Sequence, residues 1–348
     1  MTFHVPTVDI APYVADGAAA DREEVARQID EACRAVGFIQ VIGHGIPDTV
    51  IDGLTDALDR FFALDLDTKK GYRTPPQVNR GYSPPKSESL SLSLGVESAT
   101  RMNDFFEAFN VGASSAAYPH VTDLPQPDYA ENVWPAVEGF EPQVQGYFAE
   151  AARVARTMTR IFADALGLDD DFFPSRTDHS LDVMRMNNYA LPPGTEVSLD
   201  GDLIGMSEHT DFGIVTVLWA DQVRGLQVLG SDGSWNDVHP ADGALLINLG
   251  DITAHLTNER WMSTLHRVKP PVIDGTIERR RSVAFFHDGN VDTVITTLPS
   301  CVDEHHPALF EPVTIAEHIA AKLRGSRAGI RNDAAGREAQ RVLDSGRY

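Results

Sequence analysis

Ser207-Glu208-His209-Thr210-Asp211-Phe212 is the stretch that decides the fold, and Leu265-His266-Arg267-Val268, with His266 fifty-five positions past Asp211, completes it. On a strand, successive side chains alternate faces, so His209 and Asp211 are expected to point one way and Thr210 and Phe212 the other. A second strand carrying His266 alongside brings two imidazoles and a carboxylate together. That donor set suits iron(II) held on one face, with the opposite coordination positions open. In a chain with twelve histidines, a short H-x-D also arises as a surface pair or a satisfied core pair. The residues beyond His266 narrow the choice.

Fourteen positions past His266 the chain reads Arg280-Arg281-Ser282-Val283-Ala284-Phe285-Phe286. Arg280 and Ser282 share one strand face. A guanidinium grips a carboxylate through two parallel hydrogen bonds, and a hydroxyl adds a further donor. Alternation places Arg279 and Arg281 on the other face, provided the strand has no bulge. The interval holds Val272-Ile273-Asp274-Gly275-Thr276, an Asp-Gly turn between two strands. A strand arginine satisfied by a neighbouring acid is the plainer alternative in so acidic a chain.

The remaining pattern is α+β with a mainly β core, helices first and strands later. Val25, Ile29, Cys33 and Val36 recur at helical spacing over 22–36, with Asp21 as the expected N-cap and Gly37 as the stop. Ile51, Leu54, Leu58 and Phe61 mark a helix over 48–64. Val144, Tyr147, Val154, Met158, Ile161 and Phe162 mark another over about 142–166. The stretch 75–100, rich in Pro, Ser and Gly, reads as loop. From about 181, short strands follow at close intervals, among them 214–219, 226–229, 235–238 and 244–248. Asp232-Gly233 is a hairpin turn. Such a series closes into a sandwich or barrel. Thr314 and Glu317 form a capping box that opens a late helix, and beyond Arg324 a loosely held polar tail is expected.

Length and charge bound the function. The chain has 348 residues, 42% of them apolar, enough for one large core. Its net charge of −22 argues against a nucleic-acid or anionic membrane surface. No apolar run reaches the ~20 residues needed to span a bilayer, and Met1-Thr2-Phe3-His4 does not open a secretory signal. Cys33 and Cys301 are the only cysteines, too few for a disulfide framework, which points to a reducing cytoplasm. No P-loop or G-x-G-x-x-G motif is present. His44, in a Gly-His-Gly turn, and His255 read as structural. His287 either lines or caps the pocket, and His305-His306 reads as solvated loop.

Read in order, these pieces resemble the 2-oxoglutarate and Fe(II)-dependent dioxygenases, specifically the isopenicillin N synthase-like family. Val5-Pro6-Thr7-Val8-Asp9-Ile10 and Gly37-Phe38-Ile39-Gln40-Val41-Ile42-Gly43-His44-Gly45-Ile46-Pro47 are similar to its N-terminal region. Met184-Arg185-Met186-Asn187-Asn188-Tyr189 is similar to the strand before its metal motif. The run from Gly243 to Asp251 is similar to the one leading to its distal histidine. The resemblance implies a double-stranded β-helix, or jelly roll, with flanking α-helices. Residues 1–120 would pack on an oxygenase core over 121–310, followed by a helix and tail over 311–348, in one structural unit.

It further implies Fe(II) on His209, Asp211 and His266. The cosubstrate 2-oxoglutarate would chelate the metal, its C5 carboxylate on Arg280 and Ser282, with Asn187 and Tyr189 reaching it as well. Phe286, Arg101 and Phe105 would border the cavity of a small-molecule substrate. The implied reaction uses O₂ to oxidise a small organic metabolite by hydroxylation, desaturation or ring closure, releasing succinate and CO₂. No obligate protein partner is evident. Two alternatives stay open. One is an isopenicillin N synthase-type oxidase that needs no 2-oxoglutarate. Ala254-His255-Leu256-Thr257-Asn258 resembles that enzyme, whereas the ending Gly346-Arg347-Tyr348 lacks its glutamine. The other is a non-catalytic ligand-binding module, which would have no need of a metal triad.

Overall fold

Val183 to Tyr189 forms a strand in which every residue is buried, apolar and polar alike. A strand buried throughout must be covered on both faces, and its alternation shows by what. Met184 and Met186 join the core under the helices, while Asn187 and Tyr189 face an internal cavity. The same division runs through the neighbouring strands. Val217, Ile247, Val283 and Phe285 face the helices. Leu218, Asn248, Ser282 and Phe286 face the cavity.

The computed structural model describes residues 3–88, 90–94, 104, 106–190, 205–270, 272–273, 276–328, 332, 337 and 340. Strands within them are β1 (Thr7–Asp9), β2 (Phe38–Ile42), β3 (Gly81–Ser83), β4 (Glu107–Gly112), β5 (Val183–Tyr189), β6 (Met206–His209), β7 (Val215–Ala220), β8 (Leu226–Leu229), β9 (Trp235–Asp237), β10 (Leu245–Leu249), β11 (His266–Val268), β12 (Val272–Ile273), β13 (Thr276–Ile277) and β14 (Arg280–His287). Eight form one sheet in the order β1-β2-β10-β7-β14-β5-β4-β3, and four form a second in the order β6-β11-β8-β9. All pairings but β1–β2 are antiparallel. The two sheets make the jelly roll, and residues from both line the cavity between them.

The helices are α1 (Ala11–Val14), α2 (Ala19–Ala35), α3 (Asp48–Phe62), α4 (Leu66–Lys70), α5 (Phe140–Leu166), α6 (Pro174–Thr177), α7 (Asp251–Leu256) and α8 (Ile315–Ala328). The longest, α5, runs 27 residues between left-handed Gly139 and Gly167. It packs against α2 and α3 on one side and β7 and β14 on the other. Its Tyr147, Met158, Ile161 and Phe162 are fully buried, each contributing about 1.5–3 kcal/mol of transfer free energy.

Two boundary expectations need correction. Helix α2 begins at Ala19, with Ala18 at the N-cap, so Asp21 lies inside the first turn. There its carboxylate meets the positive helix end without capping it. The end is as expected: Gly37 takes φ +70°, and a Cβ on it would lie 2.2 Å from the Met262 carbonyl oxygen. The C-terminal segment is not loose as far as it is described. Helix α8 continues past Arg324 to Ala328, and Ser326 and Asn332 are buried. Gly325 allows the contact, because a Cβ there would come within 2.6 Å of the Leu92 carbonyl oxygen. Asn332 donates from Nδ2 to the Ser93 carbonyl at 3.1 Å. The Thr314–Glu317 capping box forms as expected, with Glu317 N to Thr314 Oγ1 at 3.2 Å and Thr314 N to Glu317 Oε2 at 3.1 Å. No helix of the described residues is long and apolar enough to cross a membrane.

Candidate active site

His209 and His266 sit directly opposite each other on the antiparallel pair β6–β11, their ring centroids 4.2 Å apart. Each ring is aimed by its own strand. Nδ1 of His209 lies 2.8 Å from the Ser207 carbonyl, and Nδ1 of His266 lies 3.0 Å from the Thr264 carbonyl. A carbonyl can only accept, so Nδ1 carries the proton and donates, leaving Nε2 as a lone pair on each ring. Asp211 Oδ1 stands 3.9 Å from Nε2 of His209 and 3.8 Å from Nε2 of His266. Burial and the neighbouring imidazole push His209 well below its usual range, which favours the neutral ring that a metal binds. These three buried residues are the one His/Cys/Asp/Glu group among the described residues whose ligand atoms could hold a metal, all within 4.8 Å of one another.

The alternation that predicted the triad is only half of its cause. β6 ends at His209, so Asp211 lies beyond the strand. Its backbone carbonyl accepts from Asp251 N at 2.8 Å. Its Oδ2 accepts from Thr216 Oγ1 at 2.6 Å and from Asn248 Nδ2 at 2.7 Å. Thr216 and Asn248 are direct cross-strand neighbours on β7 and β10. They occupy one carboxylate oxygen and leave Oδ1 to a metal, the usual task of such orienting partners. Neither was singled out in the sequence. Their signal was faint: two polar residues interrupting otherwise apolar strands. Because the strand stops at His209, Phe212 is not held on the opposite face as expected but lines the cavity.

The strand register settles the arginine question. β14 pairs with β5 and β7 without a break, with Arg280 opposite Tyr189 and Ser282 opposite Asn187. Arg281 faces outward, 3.0 Å from Asp59 and 3.4 Å from Asp221, and Arg279 lies 2.7 Å from Asp59. Arg280 faces inward and is 2% exposed. Its Nε and Nη1 have no hydrogen-bond partner among the described residues. Its guanidinium lies 5.3 Å from the centre of the Tyr189 ring. A buried guanidinium with free N–H groups is costly unless an anion meets it. Ser282, Asn187 and Tyr189 line the same wall, Asn187 Nδ2 reaching Ser282 Oγ at 3.5 Å. Asn188 turns away to Glu107 and Arg279.

The triad and Arg280 open into one cavity of about 1220 Å³, counting its mouth. Phe286 lines it as expected, while Arg101 and Phe105 lie outside the described residues. The remaining histidines are not metal partners. His44 is held at both ring nitrogens by Gly243 O and Ile46 N. His255 stacks on Phe310 at 4.6 Å. His287 is on the outer face, where Nδ1 meets Asp182 at 2.8 Å; it neither lines nor caps the cavity.

Sequence reading also missed a buried link from α8 to the metal turn. Lys322 Nζ sits 2.7 Å from Asp251 Oδ2, and both side chains are buried. Thr210, between the two metal-motif residues, donates to the same Oδ2 at 3.1 Å. His318 Nε2 stands 3.9 Å from it. Burial pushes the His318 imidazole down to about 4, with Asp251 only partly opposing.

Comparison with known proteins agrees with this geometry. Residues 181–289 match the 2OG-Fe(II) oxygenase superfamily, and residues 5–137 match the N-terminal region of the non-haem dioxygenases in morphine synthesis. The chain is 32% identical over 329 residues to the 2-oxoglutarate-Fe(II) type oxidoreductase hxnY of Emericella nidulans, covering 92% of this chain and 90% of that one. A putative 2OG-Fe(II) oxygenase family protein from Caulobacter crescentus superposes with a TM-score of 0.77 at 28% identity, over 93% of this chain and 99% of that one. JOX2, solved with 2OG, Fe and JA, superposes with a TM-score of 0.73 at 26% identity, over 96% and 88%. Two inward imidazoles, a carboxylate with one free oxygen and, in the same cavity, an arginine with Nε and Nη1 unpartnered suit Fe(II) and 2-oxoglutarate, and the chain belongs to the 2-oxoglutarate/Fe(II)-dependent oxygenases.

Proposed function

We propose that His209, Asp211 and His266 hold the iron, and that Arg280 and Ser282 receive the distal carboxylate of 2-oxoglutarate, with Asn187 and Tyr189 completing its wall. The observation that carries this reading is Arg280: a buried cation lacking partners for Nε and Nη1, in the same cavity as the triad. An unpaired arginine fits a dicarboxylate cosubstrate, and it weighs against an oxidase that works without one. Bound iron, with 2-oxoglutarate and O₂, supplies the oxidation of a C–H bond while the 2-oxo acid leaves as succinate and CO₂. The protein's part is positional. The Ser207 and Thr264 carbonyls fix the two rings, and Thr216 with Asn248 fixes the carboxylate. Phe38, Leu218, Leu226 and Val268 keep water from the Arg280 end.

The substrate in this reading is a small organic metabolite bordered by Phe286, with no nucleic acid or membrane as partner. The acidic net charge supports the last two points. The chain acts as one unit of N-terminal region, oxygenase core and C-terminal helix. Two features support that unity: α5 packs on both α2 and the sheet, and α8 lines the cavity. Two cysteines without a disulfide accord with a cytoplasmic setting. The test is succinate formation and O₂ uptake with Fe(II) and 2-oxoglutarate across a panel of small metabolites. Consumption of O₂ with any substrate in the absence of 2-oxoglutarate would overturn the cosubstrate assignment.

A further inference from the structure

The cavity has a second set of arginines, away from Arg280. Arg185 lies on β5 four positions before Tyr189, about 13 Å along the strand. Its Nη2 is 2.9 Å from Glu88 Oε2, and its Nε donates to Asn187 Oδ1 at 3.1 Å. Arg327, from the last turn of α8, brings its Nε to 3.7 Å from Glu88 Oε1. Its Nη1 donates to Val78 O at 3.2 Å and Asn79 Oδ1 at 3.1 Å. All three charged side chains line the cavity and are largely buried.

Among the described residues, the arginines of this wall outnumber the carboxylate between them. Two guanidinium groups share one carboxylate. Burial pushes Glu88 up, but the two arginines outweigh it and hold it below its usual range, so it stays an anion. Arg80, in the same lining, donates from Nη2 to the Ala113 and Asp128 main-chain carbonyls, and the Asp128 and Glu131 carboxylates nearby offset its charge. Asp288, also in the lining, has no hydrogen-bond partner at Oδ1 among the described residues, and burial pushes its carboxyl well up. Among the described residues, the Arg185–Glu88–Arg327 group therefore carries one more positive than negative charge, in a region walled by Val183, Phe286, Ile319 and Leu323. In a chain of net charge −22, two buried arginines sharing a single carboxylate are a specific feature rather than a general bias.

We propose that Arg185 and Arg327 form an anion-recognition wall, and that the primary substrate is a small apolar-bodied organic acid whose carboxylate binds them beside Glu88. This rests on the reading that the cavity holds 2-oxoglutarate at Arg280 and substrate opposite.

The test uses benzoate and benzamide as probes, titrated calorimetrically under anaerobic conditions into full-length protein loaded with Fe(II) and saturating 2-oxoglutarate. The visible charge-transfer absorption of the iron–2-oxo acid complex reports whether 2-oxoglutarate stays in place. Benzoate should bind at least tenfold more tightly than benzamide, as about 1.5–3 kcal/mol for a charge-assisted hydrogen bond implies. Glu88→Gln removes the competing carboxylate and should tighten benzoate while leaving benzamide unchanged. Arg327→Gln should abolish the preference, and Arg185→Gln should do the same. Arg327→Gln alone suffices if Arg185→Gln fails to fold. No benzoate binding, equal binding of the two probes, or a Glu88→Gln variant that binds benzoate more weakly would each overturn the proposal. An absorption that never forms would instead overturn the cosubstrate reading beneath it.

Discussion

The two ends of the cavity handle buried charge in opposite ways. At one end Arg280 stands with free N–H groups against Tyr189 and an apolar wall. On the side lined by α8, the buried cations have acidic partners: Arg185 and Arg327 share Glu88, and Lys322 meets Asp251. An unpaired arginine commits its end to a ligand that always brings an anion, which suits a fixed cosubstrate. Paired cations can fold without a ligand and let binding compete with an internal partner.

Four experiments test that contrast. The largest effect is expected from Asp211→Ala, which removes the one anionic metal donor while Thr216 and Asn248 remain. Stoichiometric iron should be lost, measured by metal analysis of anaerobically reconstituted protein, and retention of full iron would refute the triad. Arg280→Leu comes next. Losing a desolvated arginine–carboxylate pair costs about 2–5 kcal/mol, so the KM for 2-oxoglutarate should rise roughly 30-fold or more while iron still binds. If Arg281→Leu raised it instead, the register given above would be wrong, since Arg281 is tied to Asp59 and Asp221.

Lys322→Met sharpens the other side. It leaves Asp251 buried without its cation and should cost about 3 kcal/mol of stability, read by denaturant unfolding. Apparent iron affinity should fall as well, because Asp251 holds the turn that carries Asp211. Unchanged iron affinity in a folded variant would make the link purely structural. The smallest effect is expected from pH. His318 titrates lower folded, at about 4, than unfolded, where it is near 6.5. The unfolded chain therefore takes up the proton first. The stability contributed by neutral His318 is complete above about pH 6.5 and is lost as pH falls toward 4. Between pH 6.5 and 5 this amounts to roughly 1–2 kcal/mol, and His318→Gln should flatten that part of the melting-temperature profile. An identical profile in the variant would show that other groups dominate.

Much of this was legible in residue order. Strand alternation alone picks Arg280 over Arg279 and Arg281, because a side-chain period of two leaves no third option when the ladder is unbroken. The same rule reached His209 and His266. It also put Asp211 on the right side, though not by the cause it presumes, and it misplaced Phe212, because the strand ends at His209. Pattern also found α5 and the Thr314–Glu317 box, and it missed the start of α2 because Asp21 fits a first-turn site as well as a cap.

What the sequence determined by itself is therefore local or periodic: the donor types, their order along the chain, the inward arginine and a sandwich or barrel, which the family resemblance narrows to a jelly roll. What only the tertiary structure decided is which distant groups share a charge. Asn248 on Asp211, Glu88 between Arg185 and Arg327, and Lys322 on Asp251 each join segments far apart in sequence. No periodicity encodes such pairings. They arise because folding removes water from charges that must then find partners, and the sheets and α8 determine which partners lie within reach.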